Sequence, residues 1–474
     1  GGVAWEEVEE LRGKLEQLEA KVRELEGREL VAKSKAQAWE ADAQARAEEN
    51  QATEAKLKDA EERLGTAEQA VAKADQRVKE WESKAASWAV VRADAVLSVP
   101  FYWYEDSTMR MKSLAKACPT WGRRDADVLF IEQAKTHPKR VKSFSEAKMF
   151  IVTIPLVTSF GCGKKYNHTE RTTAALRRLV SSEAWAATRG RNHVWMLFDW
   201  RIMRWADSAW NMIPDDPGRG EWEDHLKLIA NMTVLTYENW HTHPGTCKTF
   251  SQTFNDYCHP SDFSWLPFET WACSVVVPYF AGEGLSSEEA METFPKAGRF
   301  EEWQERQTML FYRNDPRKDY QWGATPVRRA PGNLSGLPNV SVGGAVSKSK
   351  HLKGLAGSKF CLVTRGDTPS SHKVFDALRA LCVPVIVSDH WHRVAKPFPT
   401  LLAWDAFSIS IPERHFLKDP KQAVAFLWTL STGELRRLHE ALLSARLALD
   451  WRAPGSRTTG LALTSVAETC LQPL

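Results

Sequence analysis

From Val8 onward, apolar residues recur at spacings of three and four: Val8, Leu11, Leu15, Leu18, Val22 and Leu25. The same register lands on Ala32, Ala36, Trp39 and Ala43, then on Leu57, Ala60, Leu64, Ala67, Val71, Ala74, Val78, Trp81, Ala85 and Trp88. A seven-residue repeat held this long keeps one seam facing a partner helix and winds it left-handed. The pattern predicts a long α-helical coiled-coil stem over residues 1–95, with a homo-oligomer formed through residues 8–88. Glu29, Arg46, Asn50 and Thr53 fall on the seam, where polar residues set register and oligomeric state. A single solvated helix rich in Ala, Glu and Lys is the alternative.

After Pro100 the pattern changes to short continuous apolar runs. They are Asp127–Ile131, Met149–Ile154, His193–Phe198, Ser274–Pro278, Thr308–Tyr312, Phe360–Val363 and Pro384–Val387. Such runs fit strands buried on both faces of parallel sheets. Helix-compatible stretches, 169–188 and 369–381, lie between some of them, which is the signature of α/β architecture. The length suits two lobes dividing near 281–305, read here as 96–300 and 301–455, with 456–474 as a tail. Residues 331–350, rich in Gly, Ser and Pro, read as a surface loop, and Glu434–Trp451 as a helix.

Composition sharpens this division. The chain has 474 residues with 43% hydrophobic and 26% charged, values of ordinary globular protein. Its net charge of +3 hides two unlike parts, −6 over residues 1–95 and +9 over the rest. Neither the sum nor any local cluster calls for nucleic acid as a partner. The 21 tryptophans require a large aromatic core. No run of about 18 apolar residues spans a bilayer, and the chain opens Gly1-Gly2 without Met, which leaves a membrane anchor upstream as an expectation.

The chemistry concentrates in residues 358–389. They read as strand, polar loop, helix and strand, with Thr368 as N-cap and Pro369 at the first helical position. A helix opening there directs backbone N–H groups at Ser370, Ser371 and His372 and offers an anion site. Lys359, Arg365, His372 and Lys373 add positive charge, and Asp376 is placed to accept hydrogen bonds from sugar hydroxyls. Equally, Arg365 could pair with Asp367 while the serines merely cap a helix.

This run resembles the C-terminal signature of the exostosin-like glycosyltransferases of family 47. It pairs a strand ending Phe360-Cys361-Leu362 with Arg365-Gly366-Asp367, then Ser370-Ser371-His372, then Pro384-Val385-Ile386-Val387-Ser388-Asp389. Further matches follow in order: Glu146–Val152, Gly190–Trp195 with Asp199-Trp200, Ser274–Pro278, Leu310–Arg313, and Pro397-Phe398 with Trp404–Ser408. The resemblance covers roughly residues 99–452. It implies a GT-B fold of two Rossmann-like lobes and sugar transfer with inversion from a nucleotide sugar, a UDP-sugar, to a glycan or glycoprotein acceptor. The donor-binding residues it implies are Arg313, Arg365, Gly366, Asp367, Ser370, Ser371, His372 and Asp376. No metal is expected to be required. His193 and Asp199, at the ends of one first-lobe strand, are the candidates for the base that takes the acceptor proton. The alternative for His193 is a packed core histidine. The family commonly has Asp where this chain has Asn192, and Glu where it has Asp376. A non-catalytic sugar-binding or scaffolding relative, assembled through its coiled coil, is therefore the rival reading.

Other motifs are bland. Asp125-Ala126-Asp127 has the spacing of a metal-binding pair but reads as a solvated turn. Gly161–Lys165 reads as a turn and His241-x-His243 as a loop. Four sequons, at Asn167, Asn231, Asn333 and Asn339, favour a secretory lumen. Cys247 and Cys258 are a candidate disulfide there. The resemblance places that lumen in the Golgi.

Overall fold

Eleven strands, arranged in two all-parallel sheets, organise the described part of the chain. The structure is a computed structural model that describes residues 90–92, 94–111, 126–161, 168–196, 231–238, 273–280, 298–314, 325–366 and 369–473. Up to residue 89 the predicted coiled coil lies outside these residues. So do Asp199, Asp367, Thr368, His241, His243, Cys247 and Cys258. The described residues between 90 and 95 are not helical, and Val91 instead bridges Leu402, so they do not belong to the expected stem.

The first sheet contains β1 (Phe101–Trp103), β2 (Arg140–Val141), β3 (Met149–Ile151), β4 (His193–Met196), β5 (Thr233–Thr236) and β6 (Cys273–Val276). Their spatial order is β2-β1-β3-β4-β5-β6. The second contains β7 (Thr308–Arg313), β8 (Val340–Gly343), β9 (Ser358–Thr364), β10 (Val383–Val387) and β11 (Ile409–Ile411), in the order β11-β10-β9-β7-β8. Each sheet reverses its strand order once, between β1 and β3 and between β7 and β9. In open α/β sheets such a reversal opens a crevice beyond the strand carboxyl ends. Two α/β lobes of this kind are the GT-B arrangement the resemblance implied.

Burial explains which runs became strands. Every residue of β3, β4, β5 and β10 is buried, so continuous apolar runs served where alternation would not. The first lobe packs Tyr104, Phe150, Val152, Ile154, Leu176, Leu179, Trp185 and Trp195 into one core. Trp103, Trp195, Trp303, Trp391, Trp404 and Trp451 are almost wholly enclosed, which accounts for part of the tryptophan excess.

Several expectations are corrected. Residues 127–131 lie in a helix, Ala126–Lys135, whose buried positions Ala126, Asp127, Phe130, Ile131 and Ala134 follow helical spacing. A short apolar run cannot by itself tell strand from buried helix. Asp127 is correspondingly no solvated turn: it is buried and accepts the Thr158 N–H at 2.9 Å and the Thr158 hydroxyl at 2.6 Å. The stretch 169–188 forms two helices, His168–Val180 and Glu183–Thr188, because Ser182 caps the second by accepting the Trp185 N–H. The Gly-Ser-Pro-rich stretch 331–350 contains edge strand β8, half-buried against β7.

The C-terminal stretch 456–474, set apart as a tail, contains helix Thr458–Thr469 and returns to the first lobe. Thr459 donates to Gln133, and Cys470 is disulfide-bonded to Cys273 at the start of β6. A second disulfide, Cys361–Cys382, ties β9 to the turn before β10. Neither pair is the one expected from sequence, and the four cysteines lie 5.5 and 5.7 Å apart at Cα, within bridging reach.

Candidate functional site

The β7/β9 crevice gathers most of the predicted residues. β7 ends at Arg313, and β9 runs through Thr364 into Arg365 and Gly366. Tyr312 fastens the two strand ends, donating to the Arg328 carbonyl at 2.9 Å and meeting the Thr364 hydroxyl at 3.2 Å. Arg313 donates to the Ser341 hydroxyl at 2.8 Å, and Lys373 donates to the Arg313 carbonyl at 2.9 Å. Arg328 donates to the Arg365 carbonyl. Arg313, Arg328, Arg365, His372 and Lys373 thus surround one reversal point.

Their crowding has an electrostatic consequence. Burial, reinforced by repulsion from Arg328 and opposed by Asp376, lowers the Lys373 ammonium to about 8. His351 is also pushed below its usual value, chiefly by burial, with Lys373, His372 and Arg313 adding to the effect. A group of cations that hold one another's charge down is stabilised by an arriving anion.

The loop that follows differs from expectation in its helix. The helix begins at Lys373, not Pro369, and ends at Arg379. The Gly366 N–H instead donates to the Ser370 carbonyl and the Ser388 hydroxyl to the Pro369 carbonyl. These ties engage residues 369 and 370 outside the helix, which starts four residues later than expected, a tertiary effect that capping preference cannot reveal. Phe375, Leu378 and Leu381 are buried as expected.

Individual side chains have definite tasks. Arg365 is buried and pairs with Glu413 at 3.2 Å. Glu413 is raised by burial, with Arg365 pulling against that rise. Asp376, buried beneath the loop, receives His372 Nδ1 at 2.8 Å. It therefore orients an imidazole at the loop surface, whereas sequence assigned it to sugar hydroxyls. Ser371 Oγ accepts the Lys373 N–H at 3.4 Å.

The two lobes meet at Ser370. Its N–H donates to Glu238 Oε1 at 3.0 Å, and its hydroxyl lies 2.6 Å from the Tyr279 hydroxyl. Tyr279 stacks on Tyr237 at 3.7 Å and on Phe375 at 6.0 Å. Glu238 and Tyr279, beyond the carboxyl ends of β5 and β6, escaped the sequence reading. Glu238 follows an apolar strand with no motif around it, and only the topology shows that it faces the loop.

His193 lies away from this site. It has no exposed surface, stacks on Phe150 at 4.8 Å and lies edge-on to Trp185 at 5.0 Å. Burial lowers it to about 4, so it is neutral at physiological pH. Its Nδ1 lies 3.1 Å from the Arg191 carbonyl and its Nε2 2.7 Å from the Tyr104 hydroxyl. The carbonyl can only accept, so Nδ1 carries the proton and Nε2 accepts from Tyr104. This is the packed core histidine of the alternative reading. Gly190 secures the packing: at φ +82° it admits the Trp185 ring, which a Cβ would meet at 2.8 Å. Asn192 sits in the left-handed region at φ 59°. It donates to the Gln472 carbonyl at 2.8 Å and accepts the Gln472 N–H at 2.9 Å. An aspartate could make only the second of these bonds.

Among the described residues, no three His, Cys, Asp or Glu side chains cluster as a metal site. None of the described helices is long and apolar enough to cross a membrane.

Residues 299–426 match the exostosin GT47 domain. The chain is 35% identical over 102 residues to a probable arabinosyltransferase of Arabidopsis thaliana, covering 22% of this chain and 22% of that protein. It is 36% identical over 96 residues to an exostosin-1 homolog of Caenorhabditis elegans, covering 20% and 22%. Against exostosin-1 of Mus musculus it is 32% identical over 88 residues, covering 16% and 11%. The chain thus aligns with about a fifth of the length of the first two curated relatives.

Proposed function

We propose that this chain, whose second lobe is an exostosin GT47 domain, is an inverting glycosyltransferase. It moves a sugar from a nucleotide sugar, a UDP-sugar, to a glycan or glycoprotein acceptor. The observation that carries this reading is the set of cations gathered at the β7/β9 crevice, with Arg313 tied to Ser341 and Lys373, and Arg328 to the Arg365 carbonyl. A nucleoside diphosphate is the anion such a set is suited to hold.

In this reading Arg313, Lys373, His372 and the hydroxyls of Ser370 and Ser371 hold the diphosphate. Arg365, paired with Glu413, fixes the base of the loop, and Gly366 and Asp367 are assigned to the donor with it. Asp376 holds His372 ready. Charge that grows on the departing diphosphate is stabilised by preorganised donors and fixed cations, so no metal is required. The first lobe supports the acceptor.

A Golgi lumen or membrane is the compartment we assign. Two disulfides and exposed sequon residues Asn231, Asn333 and Asn339 support it. Oligomerisation through 8–88 and an upstream anchor rest on the sequence pattern alone. The structural employment of Asn192 and His193 favours the rival, a non-catalytic sugar-binding scaffold. Nucleotide release from a panel of nucleotide sugars, with and without glycan acceptors, separates the two. Acceptor-stimulated release is expected; UDP binding without turnover of any donor would establish the scaffold.

A further inference from the structure

Inverting transfer needs a proton acceptor on the side of the anomeric carbon opposite the leaving diphosphate. His193 is sealed among aromatic rings, and Asp199 lies outside the described residues. Glu238 is different. It stands at the carboxyl end of β5 on the first lobe and is almost wholly buried. The Thr236 hydroxyl donates to its carbonyl at 3.2 Å, which fixes the turn that follows the strand. Its carboxylate reaches across to the second lobe and takes the Ser370 N–H at 3.0 Å.

That N–H belongs to the loop we assign to the diphosphate. A carboxylate therefore occupies the place of a phosphate oxygen, and two anions do not share one buried donor without strong repulsion. When the diphosphate takes the loop, Glu238 gives up this bond but stays anchored on β5. A role in the transfer requires the sugar to lie between the phosphate on one lobe and the carboxylate, drawn back toward β5, on the other.

We infer that Glu238 is the general base of the transfer, an inference that rests on the glycosyltransferase reading above. The acceptor hydroxyl oxygen forms a bond to the anomeric carbon while its proton passes to the Glu238 carboxylate. The bond from that carbon to the phosphate oxygen breaks, and its electron pair leaves with the diphosphate. The glycosidic product has inverted configuration. One carboxylate thus guards the empty loop and serves the reaction once the loop is filled.

The test is Glu238→Gln in the full chain, beside Glu238→Asp and Asp199→Asn, with kcat on the best donor and UDP affinity measured for each. The glutamine keeps an amide oxygen for the Ser370 N–H, so a merely structural role leaves kcat unchanged. The expected result is a kcat lower by about 100-fold or more, with UDP bound at least as tightly as by the wild type. Glu238→Asp keeps a base one methylene short and should lose roughly tenfold or more; it decides by the same criterion if the glutamine variant fails to fold. A kcat for Glu238→Gln within about threefold of wild type, or the large loss appearing in Asp199→Asn instead, overturns the assignment. Absence of turnover in the wild type is a separate outcome, seen in that arm alone, and removes the transferase reading itself.

Discussion

Lys373 offers the most quantitative access to the site. Its ammonium donates to the Arg313 carbonyl and lies 5.4 Å from the centre of the Tyr312 ring. Replacing it with Met keeps the length and apolar packing but removes the charge. A charge-assisted hydrogen bond to a phosphate contributes about 1.5–3 kcal/mol, or roughly 10- to 150-fold in a dissociation constant. Bare Coulomb attraction at about 4 Å in a surface-like dielectric gives a similar upper figure of about 4 kcal/mol. The pH dependence is more specific. With Lys373 lowered to about 8, the free protein carries the ammonium below that pH and loses it above. A diphosphate binds the charged form and raises its pKa, so affinity should be flat near pH 7 and fall above pH 8, by at most about tenfold per unit. His351 is pushed below its usual value, chiefly by burial. Isothermal titration with UDP from pH 7 to 9.5 would show the fall in the wild type and none in Lys373→Met. A flat wild-type profile, or an identical slope in the variant, would refute the placement of the diphosphate beside Lys373.

Two further predictions concern the frame. Asn192→Asp should destabilise the chain by roughly 1–3 kcal/mol, because the donor to the Gln472 carbonyl is lost and a negative charge faces that oxygen; equal melting temperatures would contradict the tie. Arg379 holds Asp450 through two hydrogen bonds, at 3.0 and 2.6 Å, with both side chains buried. Arg379→Ala leaves that carboxylate buried without its cation and should cost about 3–5 kcal/mol in denaturant unfolding, whereas a loss under about 1 kcal/mol would show the pair to be dispensable.

The sequence carried the second lobe further than the first. Strand β10 is apolar throughout and β9 carries the apolar run Phe360–Val363, and the segment between them holds its motif in consecutive residues, so both were readable locally. The first lobe distributes its information. Strands β1, β2 and β5 are two to four residues long and offer too little pattern to register. Residues 127–131 have strand-like composition yet bury a helical stripe, which becomes evident only when Thr158 is seen against Asp127. His193 looked chemical because it opens a first-lobe strand inside the stretch Gly190–Trp195 that resembles the family; the partners that make it structural, Tyr104 and the Arg191 carbonyl, are set by the fold. Glu238 is the converse, an unmarked residue made significant by a contact 132 positions away with Ser370.

Whether the β7/β9 crevice holds the nucleoside diphosphate of the donor is decided by a crystal structure of the full chain with UDP. The account predicts the phosphates beyond the carboxyl ends of β7 and β9, within hydrogen-bond distance of Arg313, Lys373 and Ser371, with the Glu238–Ser370 contact broken. UDP seated at the β1/β3 reversal of the first lobe, or bound in the second lobe without those side chains, would contradict it.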